Sequence, residues 1–272
     1  MKGENMALVT NKVGQLVFQT APHIQTAHGF TTRPGGISTG HLASLNLGIR
    51  RGDNWENVLK NYDILGQALG FDPKKTVLSH QTHSDIIRVV GKENWGAGLY
   101  GPELPECDAL ITNTPGTALA VFSADCTPIL LWDKVSGAVG AVHAGWRGTA
   151  ADIAGKTVRA MAENFGCDPK NICAAVGPNI GQCCFETGED VPLALKKMYG
   201  PEVAIFVRRR DDKYYVNLKS INALSLGRAG VEDIRLSEHC TACMPEYYWS
   251  YRRMGDLRGS QGAIIVCKEE RL

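Results

Sequence analysis

The chain has 272 residues, 44% of them hydrophobic and 21% charged, which suffices to bury a substantial core and fits one large domain over residues 1–272. Its 29 Lys and Arg against 28 Asp and Glu leave a formal charge of +1, a balance that excludes the basic footprint of a nucleic-acid or anionic-membrane binder and favours small-molecule partners. No stretch approaches about eighteen consecutive apolar residues, and the N-terminal MKGENMALVTNKVGQLVF holds no signal-type apolar run, so a cytoplasmic monomer or small homo-oligomer is expected.

In chain order, NWENVLKNYDILGQALGF (54–71) places Val58, Tyr62, Leu65 and Leu69 at helical spacing, with Asn54 as the cap. VLSHQTHSDIIRVV (77–90) reads as strand, polar turn, strand, with His80 and His83 at its centre. ALAVFSADCTPILLWD (118–133) is an apolar run broken by Ser123, Asp125, Cys126 and Thr127, with Pro128 restricting the backbone after them. From Ala138 the pattern predicts a strand into His143, a glycine turn, and a helix capped by Thr149 with Asp152 three positions on. A strand near ICAAVG (172–177), a helix after Glu189, strands at VAIFV (203–207) and KYYVN (213–217), a helix in KSINALSLG (219–227) and a final strand GAIIVC (262–267) complete a mixed α/β pattern without internal repeats. RRRDDK (208–213) reads as a solvated hairpin whose charges compensate one another.

Familiar cofactor signatures fail. AGKT (154–157) lacks the earlier glycine of a phosphate-binding loop and falls inside a predicted helix, and neither a dinucleotide fingerprint nor a H-E-x-x-H zinc motif occurs. Nine cysteines, an odd number, argue for reduced thiols over a disulfide framework. Cys240-x-x-Cys243 lacks a second C-x-x-C at zinc-ribbon distance and reads, with Cys183 and Cys184, as structural thiols. What remains is His83, Cys126 and His143, each in a polar break between apolar runs. Two imidazoles and a thiolate on three separate loops suit zinc with an open fourth position, although buried histidines satisfied by backbone groups are commoner than ligands. His80, three positions before His83, is not expected to ligate.

HGFTTRPGGIS (28–38), SLNLG (44–48), QTHSD (81–85), CDALIT (107–112), SADCTPILL (123–131), VHAGWRGT (142–149), VGPNIGQCCFETGEDV (176–191) and YYWSYRR (247–253) together resemble the YfiH-like family, which carries both a multicopper polyphenol oxidase and a purine nucleoside phosphorylase label. The resemblance covers nearly the whole chain. It implies a four-layer α/β/β/α sandwich with mixed sheets and a zinc site at His83, Cys126 and His143. The activity it implies is phosphorolysis of adenosine, inosine, guanosine and methylthioadenosine, with adenosine deamination beside it.

Within that frame Asp125 is the first choice for orienting a ligand or exchanging protons. Arg33 and Arg147 are the phosphate or ribose candidates, and Glu186 is a weaker candidate for contact with substrate. Two His and one Cys also match a blue-copper centre. A laccase, however, needs a trinuclear cluster rich in imidazoles, and the remaining histidines, His23, His28, His41 and His80 among them, form no H-x-H pair. A cell-wall precursor editing hydrolase is a further alternative, and a non-catalytic zinc protein would close its site with a fourth ligand such as Cys240 or Cys243.

Overall fold

A computed structural model describes residues 7–268; residues 1–6, where the N-terminal reading begins, and 269–272 lie outside the described residues. In chain order the elements are β1 (Val9–Val13), β2 (Leu16–Thr20), β3 (His28–Thr31), α1 (Trp55–Leu69), β4 (Thr76–Leu78), β5 (Ile87–Val89), β6 (Ala109–Thr112), β7 (Ala118–Ser123), β8 (Thr127–Asp133) and β9 (Val139–Ala144). They continue as α2 (Trp146–Ala150), α3 (Ile153–Phe165), β10 (Ile172–Val176), β11 (Glu186–Thr187), α4 (Asp190–Tyr199), β12 (Val207–Arg210), β13 (Lys213–Val216), α5 (Leu218–Arg228), β14 (Asp233–Leu236), α6 (Tyr251–Met254) and β15 (Gln261–Val266).

Two mixed six-stranded sheets form the centre, in the orders β1-β2-β3-β15-β7-β4 and β14-β10-β8-β9-β6-β5, with a small sheet β11-β13-β12 beside them. The central strands β7, β8, β9, β10 and β15 are apolar on both faces because both faces are covered, whereas the edge strand β1 is exposed. In β7, Leu119 and Val121 point to the space between the sheets, where they meet Leu110, Leu130 and Ala141, while Ala118 and Ala120 meet Tyr62 and Leu65 of α1. On the outer face of the other sheet, Ile111, Ile129 and Val142 pack on Ile153, Val158 and Met161 of α3 and Leu226 of α5. The result is the expected α/β/β/α layering, with α1 burying a stripe on one sheet and α3 and α5 on the other.

Helix α1 begins and ends as its sequence predicts. Asn54 accepts from the Glu56 amide, and Gly70 at φ 76° closes the helix in the left-handed conformation a glycine adopts freely. Residues 77–90 do form strand, polar segment, strand, but β4 pairs with β7 and β5 with β6, so the segment between them crosses from one sheet to the other; two other readings need correction. Period-2 patterning marks strands but says nothing about which sheet recruits them.

The helix expected from Thr149 starts at Trp146, with Gly145 in the cap position, and breaks at Asp152, whose φ is 62°. The Thr149 hydroxyl accepts instead from Asn222, and the Asp152 carboxylate accepts from Ser225 and Arg159. VAIFV forms a 3-10 turn over Pro201–Phe206, and extended backbone begins only at Val207. RRRDDK does form an exposed hairpin turn between β12 and β13, and AGKT lies within α3. Among the described residues, no helix is long and apolar enough to cross a membrane.

Candidate metal centre and cavity

Two loops and the end of a strand converge on a single point at one end of the facing sheets. His83 lies in the segment that crosses from β4 to β5, Cys126 in the break between β7 and β8, and His143 near the end of β9. His83 Nε2 lies 3.7 Å from Cys126 Sγ, and the ligand atoms of His83, Cys126 and His143 all lie within 4.8 Å of one another. The two imidazoles meet edge to face at 5.0 Å between ring centres.

Asp108, fully buried at the entry to β6, organises two of the three ligands. Its Oδ1 lies 2.7 Å from His143 Nδ1 and accepts from the His83 amide at 3.1 Å. Its Oδ2 accepts from the amides of Thr82 and Ser84 and from the Ser84 hydroxyl. A carboxylate accepting at Nδ1 fixes the proton there and turns the Nε2 lone pair toward the metal position. His83 itself sits at φ 62° and Asp125 at φ 95°, uncommon values for residues with side chains, held here by the surrounding hydrogen bonds.

The charges reinforce this geometry. Burial alone would raise the Asp108 carboxyl, but the His143 hydrogen bond and charge, helped by Ser84, outweigh it and bring the pKa to about 2. Burial likewise opposes the Cys126 thiolate, yet the charge and hydrogen bonds of His143 and His83 bring the thiol down to about 6. Burial would also favour neutral His143, but Cys126 and Asp108 raise it to about 9. The unmetallated trio therefore favours a thiolate beside an imidazolium, and a cation that displaces the imidazolium proton inherits a ready donor set.

Two nitrogens and one sulfur at these separations fit a tetrahedral ion with bonds of roughly 2.0 to 2.3 Å. Gly145 completes the cradle: a Cβ there would stand 2.9 Å from His83 Cδ2 and 3.2 Å from Cys126 Sγ.

The three ligands line a cavity of about 500 Å³, within the usual range for small-molecule sites. Phe122, Trp146, Phe185 and Tyr251 give it aromatic surface, and Arg50, Arg51, Arg252 and Arg258 give it positive charge. Arg50 is paired with Glu103 and also contacts His80 Nε2 at 3.1 Å. Arg258 differs: its Nε is buried and finds no hydrogen-bond partner among the described residues, while burial first, and Arg51 second, hold its pKa below the usual value.

Of the residues anticipated for substrate, Arg33, Arg147 and Glu186 are absent from the described cavity wall. Arg33 donates to the carbonyls of Ala43 and Pro245 and stacks on Trp249 at 4.2 Å. Arg147 is exposed and lies over Trp146 at 4.3 Å. Glu186 accepts from Tyr215 at 2.8 Å. Asp125 does line the cavity, but its oxygens accept from Thr241, Ser250 and the Arg252 amide, the environment of an orienting carboxylate. His80 reaches the wall with Nδ1 facing the Leu104 carbonyl at 3.0 Å.

The residues that sequence reasoning missed are Asp108, Arg51 and Arg258. Asp108 carried one signal, a carboxylate between Cys107 and the apolar run ALIT, where a charge demands buried partners. The arginines carried none, since they come from loops far apart in the chain.

Comparison with known proteins agrees with this architecture. A family model described as multi-copper polyphenol oxidoreductase laccase matches residues 27–268. The protein called purine nucleoside phosphorylase YlmD of Geobacillus stearothermophilus is 36% identical over 254 residues, covering 92% of this chain and 93% of that protein. Purine nucleoside phosphorylase YfiH of Escherichia coli is 37% identical over 224 residues, 82% of this chain and 86% of its own. The crystal structure of YlmD from Geobacillus stearothermophilus superposes with a TM-score of 0.91 at 34% identity, covering 96% of this chain and 100% of that one. That of the Bacillus licheniformis hypothetical protein YfiH superposes at 0.89 and 30%, covering 94% and 98%. Fold, loop convergence and sequence likeness lead to one conclusion: the chain belongs to the YfiH-like family.

Proposed function

We propose that this protein is a zinc-dependent purine nucleoside phosphorylase that splits adenosine, inosine, guanosine and methylthioadenosine with phosphate, and that it also deaminates adenosine. The observation that carries the reading is the cavity itself, with a two-imidazole, one-thiolate donor set facing a wall of aromatic rings and the Arg258 guanidinium, which lies over Tyr251 and whose buried Nε has no hydrogen-bond partner among the described residues. His83, Cys126 and His143 would hold the ion, leaving its fourth position toward the cavity. When bound, zinc supplies Lewis acidity toward a polar atom of the nucleoside or toward water.

The other roles fall to the chain. Phe122, Phe185, Trp146 and Tyr251 offer flat apolar surface for a purine, which every purine can use whatever its exocyclic groups. Arg51 and Arg258 take the phosphate role first assigned to Arg33 and Arg147, because they line the cavity and the Arg258 Nε has a donor to spare for a dianion. Positioned there, a phosphate oxygen attacks the anomeric carbon as the bond to the purine nitrogen breaks, and the electron pair leaves with the base. Asp125 keeps the turn before Cys126 in place through its three donors.

The oxidase reading fits the residues less well. A trinuclear copper centre draws on many imidazoles. Among the described residues, the only other metal-capable group besides this trio is made of four cysteines.

The test uses protein purified without added metal. Its zinc and copper are quantified, and adenosine is followed chromatographically with and without phosphate, alongside His143→Ala. Zinc, adenine released only when phosphate is present, inosine or hypoxanthine from deamination, and an inert variant are the expected results. Stoichiometric copper with phenol oxidation, or zinc with an inert nucleoside, overturns the reading.

A further inference from the structure

Four cysteines lie on two turns behind the cavity wall: Cys183 and Cys184 follow β10, and Cys240 and Cys243 follow β14. Cys243 Sγ lies 3.6 Å from that of Cys183 and 3.4 Å from that of Cys184, and all four sulfurs lie within 4.8 Å of one another. We propose that these four thiols form a second metal site, a closed tetrathiolate zinc centre that clamps the two turns together. It goes beyond the phosphorylase reading and does not depend on it.

The geometry is the primary support. Zinc–sulfur bonds of about 2.3 Å put the corners of a tetrahedron roughly 3.8 Å apart, close to the separations found. A multi-iron cluster interposes several metal and sulfide atoms and would spread the thiolates farther, so the compact array suits one ion. A disulfide accounts for only two sulfurs, whereas here two others crowd around Cys243 alone.

The backbone is arranged for thiolates. The Gly181 amide donates to Cys240 Sγ at 3.1 Å, and the amides of Cys243 and Met244 fold back onto the Cys240 carbonyl. Such a turn lets both members of a C-x-x-C pair face one ion.

Charge complementarity is the next support. A zinc ion bound by four thiolates keeps two negative charges, which a half-buried position tolerates only with cations near it. Lys219, buried, donates to the carbonyls of Ser237 and His239 at the mouth of the second turn. Arg252 donates to the carbonyls of Cys184 and Glu186, and Arg253 to that of Ala242.

The clamp has a structural consequence for the neighbouring cavity. The Ile180 amide donates to the Asp125 carbonyl at 2.9 Å, and Thr241, between the paired cysteines, donates to its carboxylate at 2.6 Å. Ile180 and Phe185, flanking the first pair, line the cavity. An ion joining the turns therefore fixes one wall and the partner of Asp125 together.

The experiment counts metal and reads its ligands in the full chain, purified under reducing conditions. Zinc content should fall from about two per chain to about one in Cys243→Ser, and also to about one in His143→Ala, each variant losing a different ion. Cobalt replaced into His143→Ala should give the strong thiolate charge-transfer absorption of four sulfur ligands, and cobalt in the double variant His143→Ala, Cys243→His should keep a weaker form of it. Where Cys243→Ser does not fold, the cobalt spectrum of His143→Ala decides alone.

Four thiols that react freely with a thiol reagent before any chelator is added overturn the proposal. So does a disulfide within the group, or zinc content unchanged by Cys240→Ser and Cys243→Ser. Because His143→Ala keeps the four-cysteine ion, failure of the phosphorylase reading leaves this result untouched.

Discussion

Oδ1 of Asp108 lies 2.7 Å from Nδ1 of His143, and the same carboxylate gathers the amides of Thr82, His83 and Ser84. One buried side chain thus sets the ring of one ligand and the backbone of another. Asp108→Asn keeps the shape but removes the charge and places an amide donor among donors. Zinc affinity, measured against a competing chelator, should drop by about 10- to 100-fold. An unchanged affinity would show that the loop holds His83 without the carboxylate.

Gly145 tests the steric side of the same site. Its backbone, φ −66° and ψ 172°, is open to any residue, so Gly145→Ala acts only through the new Cβ, which would meet His83 and Cys126. The variant should fold with near-native thermal stability and bind zinc at least about tenfold more weakly, about 1.4 kcal/mol. Wild-type affinity in that variant would mean the ligands have room to retreat.

The arginines separate phosphate binding from architecture. Arg258→Ala and Arg51→Ala should raise the KM for phosphate by about tenfold or more, the range for losing a charge-assisted contact. Arg147→Ala should leave that KM unchanged. Arg33→Ala should leave it unchanged too but lower the unfolding midpoint, since its guanidinium bridges Ala43, Pro245 and Trp249. A phosphate KM that responds to Arg33 and not to Arg258 would reverse the assignment.

Acid sensitivity has an identifiable source away from the candidate metal centre. His28 is buried and neutral, accepting from the Ala21 amide at Nε2 and facing the Thr26 carbonyl with Nδ1. Burial first, with His23 nearby, holds its pKa below 6.5 against the opposing Thr26 contact. The unfolded chain therefore takes up a proton that the folded one refuses. Its contribution is complete above about pH 6.5 and is lost as pH falls toward the folded value, at up to about 1.4 kcal/mol per pH unit. Urea midpoints between pH 8 and pH 5 should fall in the wild type and fall less steeply in His28→Gln; parallel slopes would assign the acid sensitivity elsewhere.

Local signals along the chain specify which segments form regular elements and which residue types gather at the candidate metal centre. Apolar runs such as Ala118–Ser123 specify strands, the spacing of Val58, Tyr62 and Leu65 specifies a helix, and the polar breaks at His83 and Cys126 mark two loops, while His143 lies within the end of β9. These signals are local, carried by periodicity and by polar residues where burial is expected. Long-range pairing sets the strands on either side of His83 in different sheets, which is what carries His83 across to Cys126 and His143. Likewise, Arg258 and not Arg33 reaches the cavity, Asp108 serves two ligands, and Cys183 and Cys184 meet a C-x-x-C pair about sixty residues away. Each of these rests on long-range packing of layers, where one face of a strand is chosen by what covers it, and no short window of sequence contains the covering residue.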